Sequence, residues 1–139
     1  MKFFFDNNLA PRLAKGLNEF VQPEHKILHL KEKFPANVED ERWMTELAGE
    51  ERWIILTADV RIGRNPHEIR AWKQAGHTIF FLKPGWTDMT FWAQASKFTK
   101  SFPDIIATAE MAEQGDSFIV TVNGKIVCEP SSTQNHKPA

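Results

Sequence analysis

The chain alternates short uninterrupted apolar runs with longer stretches in which apolar residues recur every three or four positions. Runs of the first kind predict strands buried on both faces, and stretches of the second kind predict helices with one buried face. Lys2–Phe5 is a first strand, ending in Asp6-Asn7-Asn8. Asn8 is expected to cap a helix carrying Leu9, Leu13, Leu17 and Phe20, with Pro11 in the first turn, where backbone N–H groups lack partners. His25–Leu30 predicts a second strand. After the turn at Phe34-Pro35-Ala36-Asn37, the stretch Val38–Gly49 carries Trp43, Met44, Leu47 and Ala48 at helical spacing, and Gly49 closes it. Trp53–Thr57 is a third strand.

Asn65-Pro66-His67-Glu68 combines a capping residue, proline at the first helical position and an acid three after the cap, and Gly76 ends the helix that follows. Thr78–Leu82 is a fourth strand. Thr87–Ser101, with Phe91, Trp92, Ala95 and Phe98, predicts another helix, and Pro103 is expected to open a further one to about Glu113. Phe118–Cys128 around Asn123-Gly124 predicts a hairpin with a type I′ turn. Its apolar residues fall on both faces, so it is expected to pack on both sides, one of them against the second subunit of a homodimer. Pro130 breaks the last strand, and residues 131–139 have the composition of a disordered tail.

Strands alternating with helices indicate an α/β fold, with a mainly parallel sheet of about four strands covered on both faces and a C-terminal β-hairpin at 118–128. A length of 139 residues with 42% hydrophobic side chains fits one domain, taken as residues 1–129, with 130–139 as the tail. A chain of this size hides enough surface to fold without a metal or a disulfide, so a metal site in it would be functional. The lone cysteine, Cys128, is expected to be a small buried residue and cannot form an internal bridge. Only three consecutive apolar residues precede Asp6, too few for a signal peptide, and a reducing cytoplasm is the expected compartment. No segment reaches membrane-spanning length.

Seventeen basic against eighteen acidic side chains give a net charge of −1, which by itself speaks against a strongly nucleic-acid-binding protein. The distribution is uneven. Residues 1–60 hold 8 basic and 11 acidic side chains, residues 61–103 hold 7 and 2, and residues 104–139 hold 2 and 5.

In a parallel sheet, ligands bind beyond the carboxyl ends of the strands, where loops and helix N-termini collect. Asp6 ends the first strand, and Asp59 lies two residues after the third. For the helix at 38–49, with roughly 100° per residue and Asp40 at zero, Trp43, Met44, Leu47 and Ala48 form an apolar face centred near about +10°. Asp40 therefore lies at the middle of that face, whereas Glu39 and Glu41 fall about 100° to either side. Each acid alone has an ordinary structural role, such as a first-turn acid on the helix dipole. Three converging carboxylates repel one another unless a cation neutralises them, and all-oxygen ligation suits Mg²⁺ or Mn²⁺ better than zinc. Such a metal points to phosphodiester hydrolysis, with Arg61 and Arg64 placed for substrate phosphates.

Phe3-Phe4-Phe5-Asp6-Asn7-Asn8-Leu9, Glu39-Asp40-Glu41-Arg42-Trp43 and Leu56-Thr57-Ala58-Asp59, in this order and spacing, resemble the PIN-like nuclease domains, including toxins of the VapC type. The resemblance covers roughly residues 2 to 83. It implies a three-layer sandwich around a central parallel sheet, a Mg²⁺- or Mn²⁺-dependent ribonuclease and, for toxin members, a cognate antitoxin protein. It assigns the metal-binding and catalytic acids to Asp6, Asp40 and Asp59. Asn7 and Asn8 would orient Asp6 or the scissile group, and Arg61 and Arg64 would contact RNA phosphate. Many members carry a further acid two residues after the third motif's Asp, and this chain has Arg61 there. One metal is then expected rather than two, with Glu41 and Glu68 as candidate additional acids.

Two other readings compete. A phosphoacceptor resembling response-regulator receivers would use Asp6, Thr57-Ala58 and Lys83-Pro84, but their order along the chain is wrong for that class and the acid pair after the first strand is missing. A catalytically inactive PIN-like module that binds RNA or protein is kept open by Arg61. His25 and His29, four apart, would form a metal pair on a helix, but their segment reads as strand. Trp86, Phe91 and Trp92 are expected to be core residues, with an exposed base-stacking patch as the other reading.

Overall fold

The computed structural model describes residues 1–35, 37–47, 49–50, 52–59 and 66–128, except for the side chains of residues 40, 41, 68 and 69. Its strands are β1 (Lys2–Phe5), β2 (Lys26–His29), β3 (Trp53–Thr57), β4 (Thr78–Leu82), β5 (Ser117–Val120) and β6 (Ile126–Cys128). Its helices are α1 (Pro11–Val21), α2 (Asp40–Leu47), α3 (Pro66–Ala75), α4 (Gly85–Asp88) and α5 (Phe91–Met111), with a 3₁₀ turn at Leu30–Glu32. The predicted tail and the segment holding Arg61 and Arg64 lie outside the described residues.

All six strands form one sheet in the order β2-β1-β3-β4-β5-β6, so it is larger than the four strands expected. The first five are mutually parallel, and only β6 runs antiparallel, to β5. The hairpin is thus the end of the sheet and not an appendage to it. Strand alternation sends Phe3, Phe5, Ile54, Leu56, Phe80 and Leu82 to the face covered by α1 and α5. Phe4, Ile55, Ile79 and Phe81 go to the other face, with Trp43, Met44 and Leu47 of α2 and Ala71 and Trp72 of α3. Burial on both faces explains why these strands read as continuous apolar runs.

Several local expectations are corrected. Asn8 does not cap α1. The helix starts at Pro11 after Ala10, which makes no side-chain cap bond, while the Asn8 carboxamide oxygen accepts from the Ala58 N–H at 3.3 Å. Phe20 shares the angle of the Leu13–Leu17 stripe but is 70% exposed, because an open groove toward α5 faces it. Pro103 does not open a helix; it lies inside α5. Losing one N–H and accommodating the ring costs about 3 kcal/mol. Burying Phe98, Phe102 and Ile105 on either side of it returns about 1.5–3 kcal/mol for each, so one continuous helix wins.

The hairpin turn is not type I′, which needs positive φ at both central residues. Among the described residues only glycines have positive φ, and Gly124, at φ 93°, closes a three-residue loop in which its N–H bonds the Thr121 carbonyl. Cys128 is exposed, because the edge strand β6 leaves its end uncovered. The aromatic trio divides: Trp86 is fully buried, Phe91 is half-buried and Trp92 is 80% exposed. No helix among the described residues is long and apolar enough to cross a membrane.

Candidate functional site

The chain passes from β1 outward to β2 and then crosses back over β1 to β3. That reversal is a topological switch point, and the loops leaving β1 and β3 part there to form a crevice at the strands' carboxyl edge. Asp6 is the first residue after β1, and Asp59 is the second after β3. The register pairs Phe5 with Leu56, and the Asp6 N–H extends the ladder to the Leu56 carbonyl at 3.0 Å, which brings Asp6 beside Thr57.

The Asp6 side chain is only 4% exposed. A carboxylate at that depth must be held by donors. The Asn7 backbone N–H donates to Oδ1 at 2.6 Å, and the Thr57 hydroxyl donates to Oδ2 at 2.7 Å. The same Thr57 oxygen accepts the Asp59 backbone N–H at 3.0 Å. One buried hydroxyl therefore ties the β1 carboxylate to the start of the β3 loop. Sequence reasoning missed this role of Thr57, although a hydroxyl ending an otherwise apolar strand, two before Asp59, was the available signal.

His29 supports the same edge from β2. Fully buried opposite Phe5, it accepts the Lys31 N–H on Nδ1 at 3.0 Å. Its Nε2 must then carry the proton, which it donates to the Leu9 carbonyl at 2.6 Å. Burial pushes its pKa below the ordinary value, only partly opposed by the Leu9 bond. Both ring nitrogens are thus occupied by backbone groups, and the imidazole ties the Asp6–Leu9 loop to the 3₁₀ turn after β2. His25, whose Nδ1 lies 3.0 Å from the Met1 amino nitrogen, is at the opposite edge of the sheet, so the two histidines make no metal pair.

Asp40 opens α2, whose Trp43, Met44 and Leu47 are buried as the helical stripe predicts. A helix leading into a parallel strand runs back across the sheet, so the first turn of α2 lies at the carboxyl edge. The side chains of Asp40, Glu41 and Glu68, like Arg61 and Arg64, lie outside the described residues. Asn7 and Asn8 are exposed on the loop between β1 and α1. The described carboxylates at this edge, Asp6 and Asp59, are hard oxygen donors and fit a cation of the Mg²⁺ or Mn²⁺ type. Among the described residues no group of three or more His, Cys, Asp or Glu side chains forms a metal site.

A family model described as "PIN like domain" matches residues 1–84, which include β1 through β4 and all the carboxylates considered above. No curated protein and no solved structure matches the chain.

Proposed function

The chain belongs to the PIN-like domain family, a nuclease-type family, and from that premise we propose that it is a metal-dependent endoribonuclease acting as the toxin of a toxin–antitoxin pair. The observation that carries the reading is the buried Asp6 carboxylate, held by Thr57 and Asn7 at the switch point beside Asp59. Asp6, Asp40 and Asp59 would hold the Mg²⁺ or Mn²⁺ ion. When bound, such an ion supplies Lewis-acid stabilisation of the charge that develops on a phosphodiester oxygen. The chain's own residues position the substrate. The carboxamides of Asn7 and Asn8 can donate hydrogen bonds to phosphate oxygens, and the guanidinium groups of Arg61 and Arg64 would clamp the backbone. Thr57 and His29 act as positioning residues, by fixing the Asp6 carboxylate and its loop.

The test is RNA cleavage in Mn²⁺ beside Asp6→Asn and Asp59→Asn, using structured and single-stranded substrates. Wild-type cleavage with both variants at background is the expected result, and cleavage that persists unchanged in both sinks the assignment. Mn²⁺ should also raise the wild-type melting temperature and not that of Asp6→Asn, because a ligand specific for the folded state must stabilise it. Arg61, at a position that is acidic in many members, favours the inactive binding module as the second reading. RNA binding with no cleavage and no metal-induced shift would select it.

A further inference from the structure

Between α1 and α5 the surface falls into a groove that the folded core does not fill. Both helices return from the carboxyl edge of the sheet, so they lie side by side and parallel, and the groove's upper end opens at the Asp6 edge. Its upper hollow, of about 500 Å³, and its lower hollow, of about 460 Å³, share Leu17, Phe20 and Thr99 in their walls. From Arg12 to Phe20 the groove runs about 12 Å at 1.5 Å per helical residue.

The chemistry of the upper half is specific. Its lining carries two cations, Arg12 and Lys100, and no carboxylate among the described residues. Two large aromatic residues stand open on it: Trp92, 80% exposed, and Phe20, 70% exposed. All five tryptophans of the chain are described, and the other four are at most 3% exposed. At the mouth the Arg12 guanidinium lies over the Phe91 ring, 3.8 Å from its centroid, and Phe91 meets Trp92 edge-on at 5.8 Å. A guanidinium over an aromatic ring keeps its full charge and a fork of N–H donors, which suits phosphate. The upper hollow is thus cationic, whereas Glu24 lines the lower one, and a cationic hollow with exposed aromatic side chains is how proteins hold single-stranded nucleic acid without reading its sequence.

We propose that the upper half of the α1–α5 groove is a binding path for single-stranded RNA, with bases stacking on Trp92 and Phe20 and phosphates meeting Arg12 and Lys100. The proposal rests on the ribonuclease reading and extends it, since the groove would hold RNA that reaches past the β1–α1 loop from the Asp6 edge. It also gives the exposed Phe20 a reason. An apolar residue on the buried stripe of α1 is left uncovered because its partner is a base.

The experiment is a titration with a fluorescently labelled single-stranded 2′-O-methyl oligoribonucleotide in EDTA, which removes metal and cleavage together. Anisotropy reports binding, and the protein's own emission reports on Trp92. Binding that weakens with salt and quenches tryptophan emission is expected. Trp92→Ala and Gly16→Glu should each weaken it about tenfold or more. A Cβ at Gly16 meets nothing within 4 Å, so Gly16→Glu puts a negative charge in the groove without a clash, and thermal melting checks that both variants fold. If both folded variants bind the oligonucleotide as the wild type does, the proposal is overturned, even where Asp6-dependent cleavage upholds the ribonuclease reading. Absence of oligonucleotide binding also overturns it. If that absence accompanies self-association that Trp92→Ala abolishes in sedimentation, the groove is a protein interface. Groove-dependent binding without any cleavage leaves the path standing and removes the nuclease instead.

Discussion

Thr57 joins two carboxyl-bearing segments through one oxygen, donating to Asp6 and accepting from Asp59. Thr57→Val keeps the volume and removes both bonds, leaving a buried carboxylate short of a donor. Urea unfolding should show a loss of about 1–3 kcal/mol, and Thr57→Ser, which retains the hydroxyl, should lose less. The pH response is set by two other buried residues. His29 and His77 both have pKa values held below the ordinary 6.5, in each case chiefly by burial. His77 accepts the Trp53 N–H on Nδ1 at 3.4 Å and donates from Nε2 to the Met44 carbonyl at 3.1 Å, and burial favours its neutral form although the Met44 bond pulls the other way. Below the unfolded pKa the unfolded chain takes up protons that the folded chain refuses. Stability is therefore full above about pH 6.5 and falls as the pH drops toward the depressed folded values. Denaturant unfolding between about pH 5 and 8 checks this, and His29→Gln should flatten part of the slope.

Among the elements, α1 contains a clear stabilising substitution. Gly16 is exposed in mid-helix with open space around it, so Gly16→Ala should raise stability by about 0.5–1 kcal/mol, measured by thermal or urea unfolding. Gly76 is the contrast, because at φ 77° it ends α3 in a conformation that alanine resists. Strands β1, β3 and β4 were legible because burial on both faces leaves no polar position to interrupt them. The stripe of α2 was legible for the matching reason, since one face of a helix must meet the sheet. What could not be read locally were choices made by tertiary contact. Asn8 has the composition of a cap, but its oxygen goes to Ala58, fifty residues away. Pro103 looks like a helix start until the burial on both sides of it is counted. Asn123-Gly124 signals a tight hairpin, and a single further residue in the loop changes its type. The placement of Asp6 beside the β3 end followed from parallel topology alone, whereas its clamp by Thr57 depends on a register that only pairing reveals.

At the scale of the whole molecule, the family match ends at residue 84 but the core does not. Phe98, Phe102, Ile105, Ala109 and Val120 lie in the same buried cluster as Phe3, Phe5 and Leu56. A chain ending at 84 would lose the α5 half of the cover on one face of the sheet and expose the edge of β4. It should show no cooperative thermal transition by circular dichroism, and a cooperative transition like that of the full chain would show that the later elements are dispensable. The charge distribution also acquires a place. Of the seven basic residues between 61 and 103, Lys100 borders the α1–α5 groove, while Arg61 and Arg64 follow Asp59.

The strand order has a consequence in time as well as in space. β1 is flanked by β2 and β3, with Lys2 paired to Lys26 on one side and to Trp53 on the other. β1 is therefore synthesised before either neighbour, and its three consecutive phenylalanines wait for β2, 24 residues downstream, and then for β3, 51 residues downstream. Parallel pairing over such separations is slow to nucleate, because the loop must close before any contact rewards it. In a growing chain, Phe3, Phe4 and Phe5 form the segment with the longest exposure to misassociation, and the speed with which β3 docks sets how long that exposure lasts.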